Sequence, residues 1–247
     1  MRLIYSTHIG LLRQCFVAFC ESQYATSGLG TLDNLIKRHT EITRDHMTPE
    51  VALHLITKNC SLWKSKQDDN SPFPDPFWAF YWPGGQVLTR FILDNPTTFR
   101  GSTVLDVGSG CGASAVACKM TGAKEVLAND VDPVAIRAIQ LNAAANGVTV
   151  KTCRDNLAGQ LNPDWSTVLL GDMFYDEEFR DSLVTWTTEL YSKYETNVFI
   201  GDPGRLPLVN HPIKNRLTKV AEYELSGACK EENNGLSTGY VWKLDKG

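Results

Sequence analysis

The chain has 247 residues, 43% of them hydrophobic and 21% charged, with a formal net charge of -4. That length suffices for one good-sized core with an extension. The slightly acidic balance, with no long cluster of Lys and Arg, excludes an electrostatic case for a nucleic-acid partner and leaves a protein or small molecule as the expected one.

Seven cysteines, at 15, 20, 60, 111, 118, 153 and 229, are odd in number and scattered, and they contain no C-x-x-C pair, so free thiols in a reducing compartment are expected. His8, His39, His46, His54 and His211 show no metal-ligand spacing, and no metal is implied. No uninterrupted apolar run approaches the roughly 18 residues of a membrane span.

The chain opens with MRLIYSTHIGLLRQCFVAFC, which holds Arg2, His8 and Arg13, several hydroxyl residues and many large apolar ones, with no acid until Glu21. This is the composition of an organelle transit peptide, and mitochondrial import is the preferred reading. A secretory signal is the rival, but Arg13 and Gln14 interrupt the apolar stretch and no A-x-A site follows. An ordinary amphipathic first helix is the third option. Further on, Thr48-Pro49 opens a new element, and SKQDDNSPFPDP (65–76) reads as a polar, proline-rich connection. PGGQVLTRFILDN (83–95) then predicts a helix leading into the first core strand.

From about Gly101 the pattern alternates short β-rich runs with helical segments, which argues for βαβ units and a parallel sheet. Strands are predicted over Thr103 to Val107, Glu125 to Asn129, Thr149 to Cys153, Thr167 to Gly171 and Asn197 to Gly201, and helices over Ala113 to Thr121, Pro133 to Asn146 and Glu177 to Tyr194. Asp132 before Pro133 suits a helix start, and Asp176 suits the cap of the helix after it. VAEYEL (220–225) and TGYVWKL (238–244) are both strand-like and joined through ACKEENNGLS, which predicts an antiparallel finish to the sheet.

TVLDVGSGCGAS (103–114) is strand, Gly-rich turn and helix start. Gly108, Gly110 and Gly112 permit a tight turn and close backbone approach to a ligand. The spacing is G-x-G-x-G, and Asp106 stands two residues before the first glycine. A carboxylate there is poorly placed to face a pyrophosphate and well placed to meet a cationic amino-acid group, which favours S-adenosylmethionine over a dinucleotide. Asp130, ending the second strand, can accept both ribose hydroxyls. Asn156, at the end of the third, is placed to contact an adenine edge, although a loop Asn also serves simply as a turn former. Ser109 and Gly171 complete the expected cofactor-binding set. Cys111, without a His nearby in the pattern, reads as a small filler.

These motifs resemble the seven-strand, class I S-adenosylmethionine-dependent methyltransferases over roughly residues 80 to 244, and Asp172-Met173-Phe174-Tyr175 matches the D-x-x-Y signature of their protein lysine methyltransferase group. FYWPGGQVLTRFILDNP, NDVDP, GDMFYD and IGDPGR extend the similarity, while VDPVAIRAIQLNAAANGV is also similar to bacterial ribosomal-protein lysine methyltransferases. The resemblance implies a Rossmann-like, mostly parallel seven-stranded sheet with an antiparallel last strand and helices on both faces. With the leader-like composition, it divides the chain into a transit segment (1–30), an extension (31–80) and a methyltransferase domain (81–247). As partner it implies the β subunit of electron transfer flavoprotein, in the mitochondrial matrix that the leader also points to; charge and the apolar runs add no nucleic acid and no membrane, and a monomer is the default.

A free lysine has a pKa near roughly 10.4, so a lysine methyltransferase needs a channel that favours the neutral amine. Asp172 and Tyr175 are the expected catalytic pair, Asp172 orienting the substrate lysine while Phe174 and Tyr175 build the channel wall. Trp82 matches the position of a tryptophan that covers the cofactor in the related enzymes, better than Trp78 does; a core Trp packed under the helix is the other option. Asp202 and Arg205 leave the fifth strand on the same sheet edge, with Arg205 facing either an acidic patch of a protein substrate or a surface ion pair. Two alternatives stay open: a methyltransferase of another protein or of a small molecule, where D-x-x-Y speaks against the small molecule and the absence of N-P-P-[YF] against amide or nucleobase amino groups, and a fold retained as a binding module.

Overall fold

The computed structural model describes residues 29–64, 71–232 and 235–245. The expected leader lies almost wholly outside the described residues, as does much of the polar connection at 65–70.

The parallel core follows from runs that are apolar on both faces. Strands β3 (Thr103–Val107), β4 (Glu125–Asn129), β5 (Lys151–Cys153), β6 (Thr167–Gly171) and β7 (Asn197–Asp202) are joined by βαβ crossovers or long loops. With β8 (Leu217–Glu224) and β9 (Thr238–Leu244) they form one sheet in the order β5-β4-β3-β6-β7-β9-β8. Pairings through β7 are parallel, and β9 is antiparallel to both neighbours. The strand order reverses between β3 and β6, which places the Gly-rich turn after β3 at the switch point where open α/β sheets bind ligands.

Helices α2 (Pro83–Asp94), α3 (Ala113–Met120) and α4 (Pro133–Ala145) cover one face, and α5 (Glu177–Tyr194) covers the other. Val104, Leu169, Phe199 and Val241 face the first layer; Leu105, Val168, Leu170, Val198 and Ile200 meet Leu183, Trp186 and Leu190 of α5 in the second. Asp132 caps α4 by accepting from Val134 N at 2.7 Å, and Asp176 caps α5 by accepting from Phe179 N at 2.9 Å, both as expected.

Two strand starts differ from expectation by more than one residue, and one connection gains an element. β5 starts at Lys151, because as an edge strand it pairs only with Leu127 to Asn129 of β4. β8 starts earlier, at Leu217, and absorbs a register shift between Lys219 and Ala221 that leaves Val220 facing solvent. The connection expected as a turn contains a short helix, Gly227–Glu232.

The extension forms helix α1 (Leu29–His39) and an antiparallel pair, β1 (Glu41–Thr43) and β2 (Leu53–Leu55), with Thr48-Pro49 in the turn between them. It is stitched to α4 by two asparagines one helical turn apart. Asn142 Oδ1 accepts from His54 N at 2.7 Å while its Nδ2 donates to Cys111 O at 2.8 Å, and Asn146 exchanges bonds with Ala52 N and O at 2.8 and 2.7 Å. Asn142 therefore ties β2 to the Gly-rich turn. Arg137 and Asp33 add a two-pronged ion pair between α4 and α1.

Candidate active site

Helix α2 reaches the sheet more closely than side chains would allow. A Cβ on Gly84 would lie 2.2 Å from Gly201 O, one on Gly201 would lie 2.1 Å from Gly84 O, and one on Gly171 would lie 3.0 Å from Gly85 Cα. Three small-residue contacts thus press the first turn of α2 onto the ends of β6 and β7. Gly171, expected among the cofactor contacts, is a glycine because a helix backbone lies on it.

The approach has a chemical result. Asp172, the residue after β6, sits at φ +60° and is 7% exposed. Such a backbone is unusual for a residue with a Cβ, and it is held by Asp172 N donating to Gly201 O at 2.9 Å. Its Oδ2 accepts from Gly84 N, an unsatisfied amide of the α2 N-terminus, and its Oδ1 accepts from Arg205 Nε in a mostly buried ion pair. Burial raises the Asp172 pKa, while the Arg205 charge and the Gly84 hydrogen bond oppose the rise. Each Asp172 oxygen thus holds a donor, so Asp172 positions α2 and Arg205. Arg205 turns its Nε inward onto this buried carboxylate, a partner that neither expectation for it named.

Asp202, ending β7, is fully buried. Its Oδ1 accepts from Gly204 N and Arg205 N, both at 2.7 Å, closing the turn that presents Arg205. Its Oδ2 has no hydrogen-bond partner. Burial pushes its pKa up to about 7, and the nearby Asp172 charge adds to the rise.

Asp106 lies at the other end of the site, 3% exposed and accepting from Ser109 Oγ at 2.5 Å. Burial pushes its pKa up to about 7, Asp130 adds to the rise, and no cationic side chain among the described residues offsets it. The turn between them has Gly108 and Gly110 at φ +62° and +55°. Met173 lies against Gly108, where a Cβ would be 2.2 Å from its Sδ. Asp130 Oδ2 accepts from Gly110 N at 2.9 Å and its Oδ1 from Asp132 N at 3.1 Å, which fixes the carboxylate against the turn. Ser109 thus serves Asp106 and, through its amide, Asn129 O.

Asn156 is exposed, and its Oδ1 accepts from Ala158 N at 3.2 Å, the geometry of a turn former. Asn129 is a functional neighbour that the sequence reading missed: buried, it donates to Cys153 O and Asp155 O at 2.9 and 2.7 Å and holds the loop that carries Asn156. Phe174 is 1% exposed in the α5-side core, so it backs the site and does not line its opening. Tyr175 is half-buried, its ring 5.8 Å from Phe179. Trp82, also half-buried, donates from Nε1 to Phe77 O at 3.0 Å and stands beside the Phe77 and Phe80 rings at the N-terminus of α2. Trp78 is the core Trp of the pair, 3% exposed. Cys111 is buried with its thiol pushed up to about 12, in keeping with a filler.

The strand order, the Gly-rich turn at the switch point and the acids on β3 and after β4 define a class I methyltransferase fold. Residues 89–166 match the family of ribosomal protein L11 methyltransferase (PrmA). Over 213 residues the chain is 47% identical to the electron transfer flavoprotein beta subunit lysine methyltransferase of Xenopus laevis, covering 86% of each. Over 250 residues it is 44% identical to the protein of the same name from Homo sapiens, covering 96% of this chain and 95% of that one. A solved ribosomal protein L11 methylase from Lactobacillus delbrueckii subsp. bulgaricus has a TM-score of 0.48 at 18% identity, covering 81% of this chain and 97% of that one, too distant to bear on function. The chain belongs to the electron transfer flavoprotein beta subunit lysine methyltransferase family and is a lysine methyltransferase.

Proposed function

We propose that this chain transfers methyl groups from S-adenosylmethionine to lysine side chains of the electron transfer flavoprotein β subunit, in the mitochondrial matrix. The observation that carries the substrate reading is the likeness over 86% of both chains to a relative named for that substrate. The leader-like composition of the first twenty residues supports the location.

The residues fit the methyl donor. Asp106 is a buried carboxylate with no cation to offset it, beside a turn whose glycines leave backbone open to a ligand, and an α-ammonium supplies the missing charge. Asp130, joined to the turn through Gly110 N, is the acid for the ribose hydroxyls, Asn156 borders the adenine side, and the half-buried Trp82 covers the ligand from the α2 side. When bound, S-adenosylmethionine supplies a methyl group on a sulfonium, and transfer forms an N–C bond while the C–S pair returns to sulfur. The protein's task is alignment and a neutral amine. Asp172 serves alignment: by joining Gly84 N and Arg205 it locks the ends of β6, β7 and α2 into one wall, from which Tyr175 borders the lysine path.

The match to the ribosomal-protein family model covers residues 89–166, which span β3 to β5 and the cofactor turn and stop short of the Asp172 stretch, so it bears on the methyl-donor side of the fold. Calorimetric titration of the full chain with S-adenosylmethionine, followed by transfer of labelled methyl onto the purified β subunit, tests the proposal. Binding with label on lysine supports it. Binding with no transfer to any protein in matrix extract would make the chain a binding module, and label on a different protein would reassign the substrate.

A further inference from the structure

At the ends of β6 and β7 the site holds two buried acids, Asp172 and Asp202, beside the half-buried cation Arg205. Arg205 is spent on Asp172, together with the Gly84 amide. Asp202 has only two backbone amides on Oδ1, and its Oδ2 is enclosed without a partner. A fully buried carboxylate oxygen with nothing to accept from is costly and rare, and a donor brought by a ligand is one means of satisfying it.

The neighbours of that oxygen indicate which ligand. Tyr240 lies opposite Asp202 in the β7–β9 register, and its Cε2 would be 3.8 Å from a Cβ on Gly204. Trp242, two residues on, lies on the same face with its ring 5.6 Å from that of Tyr240. This wall already accepts a primary ammonium: Lys214 Nζ stands 2.9 Å above the Trp242 ring centroid. Tyr240, across from Asp202, and Gly204, two residues after it, are partly exposed, so this edge of the sheet offers solvent an aromatic ring beside a residue without a side chain. A lysine stem, apolar along its length with one charge at its tip, is shaped for such an edge.

We propose that Asp202 is the catalytic carboxylate of this lysine methyltransferase, receiving the substrate ammonium on Oδ2 and removing its proton. In that step the Nζ–H bond breaks, the proton passes to Oδ2, and the bonding pair remains on nitrogen as the lone pair used for attack. The proton returns to water when the methylated lysine leaves. The inference rests on the lysine-directed reading above and deepens it. The charged and titratable groups that face Asp202 are Asp172 after β6, Arg205 on its own loop, Lys214 on the turn before β8, Tyr240 on β9 and, over the Tyr240 ring, Lys219 of β8. Burial and Asp172 raise its affinity for a proton, Arg205 lowers it, and the outcome near 7 suits a base working at neutral pH. Asp172, by contrast, already carries a charge-assisted bond from Arg205 and a bond from Gly84 N, which tie it to the α2 wall.

The substitution Asp202→Asn keeps an Oδ1 to accept from Gly204 N and Arg205 N and converts Oδ2 into a donor, so the turn survives and the base is lost. The test has two parts on the full chain. First, the carboxyl groups of protein labelled with carbon-13 at aspartate are titrated by NMR, with the Asn variant identifying Asp202, in n-butylammonium chloride and in sodium chloride of equal strength. The expected result is a group titrating near 7 in sodium chloride that moves down in butylammonium. Titration in the ordinary carboxylate range, or indifference to butylammonium, overturns the proposal. Second, kcat on a lysine-bearing protein is expected to fall about 100-fold or more in the variant, the size of a general-base contribution, with the acid limb near pH 7 lost and S-adenosylmethionine affinity kept. A variant within about threefold of native kcat with the same acid limb overturns it. The titration needs neither partner protein nor cofactor, so it decides the matter even if the flavoprotein is not the substrate, and Asp202→Glu, whose signal also leaves the aspartate-labelled spectrum, identifies the group if the Asn variant is unstable.

Discussion

Replacing Gly201 by Ala tests the claim that close approach of α2 builds the site. The added Cβ would lie 2.1 Å from Gly84 O, 2.7 Å from Leu88 Cβ and 3.0 Å from Gly84 C, so backbone must move. Overpacking of this kind costs about 1–3 kcal/mol. If α2 lifts, Asp172 Oδ2 loses the Gly84 amide, and a buried carboxylate left short of a donor adds about 1–3 kcal/mol. The sum, about 2–6 kcal/mol, corresponds in a chain of this size to a fall in Tm of roughly 5–20 °C. Differential scanning calorimetry reads it. Gly30→Ala serves as the control, because a Cβ there meets nothing within 4 Å and the site lies in helix α1, where Ala is favoured. Loss of methyl transfer should accompany the Gly201 change and not the control. A Tm within about 2 °C of native for Gly201→Ala would refute the packing argument.

Three other outcomes are expected. Because the Asp106 carboxylate that pairs with an ammonium is protonated below about pH 7, S-adenosylmethionine binding should weaken as pH falls through 7, and Asp106→Asn should bind weakly with that dependence gone; calorimetric Kd values from pH 6 to 8 check this. Asp202 has a folded pKa raised above the unfolded value near ~3.9, so it contributes stability when protonated and loses it as pH rises through about 7. The Tm of Asp202→Asn relative to native should therefore climb between pH 5 and pH 8, and a constant difference would contradict the assignment. Asn142→Ala strands His54 N and Cys111 O, at a cost of about 2–4 kcal/mol, and should speed hydrogen exchange in β2 and loosen cofactor binding together; a change in only one would show the extension and the Gly-rich turn to be uncoupled.

The scaffold was legible because parallel strands buried on both faces carry dense β-rich runs bounded by turn residues. β3, β4, β6, β9 and α5 have the predicted bounds, and the two Asp caps act where they were expected. The acids at 106, 130, 172 and 202 were legible as a set gathered at one sheet edge. What each acid binds was not. The partners of Asp172 come from 88 residues before it and 33 after it, and no local pattern records that pairing. Gly171 illustrates the same limit: its neighbour is Gly85, so a glycine beside a ligand-binding strand end answered to helix packing. The work of Asn129 and Asn142 was equally hidden, since an asparagine that bridges two backbones looks in sequence like any polar residue near a helix or strand end.

The most direct measurement is mass-spectrometric mapping of the purified electron transfer flavoprotein β subunit after incubation with the full chain and S-adenosylmethionine, alongside Asp106→Asn as the cofactor-site control. Methyl groups on β-subunit lysines with the native chain, and none with the variant, are the predicted result. An unmodified β subunit in the presence of a native chain that binds S-adenosylmethionine would contradict the account.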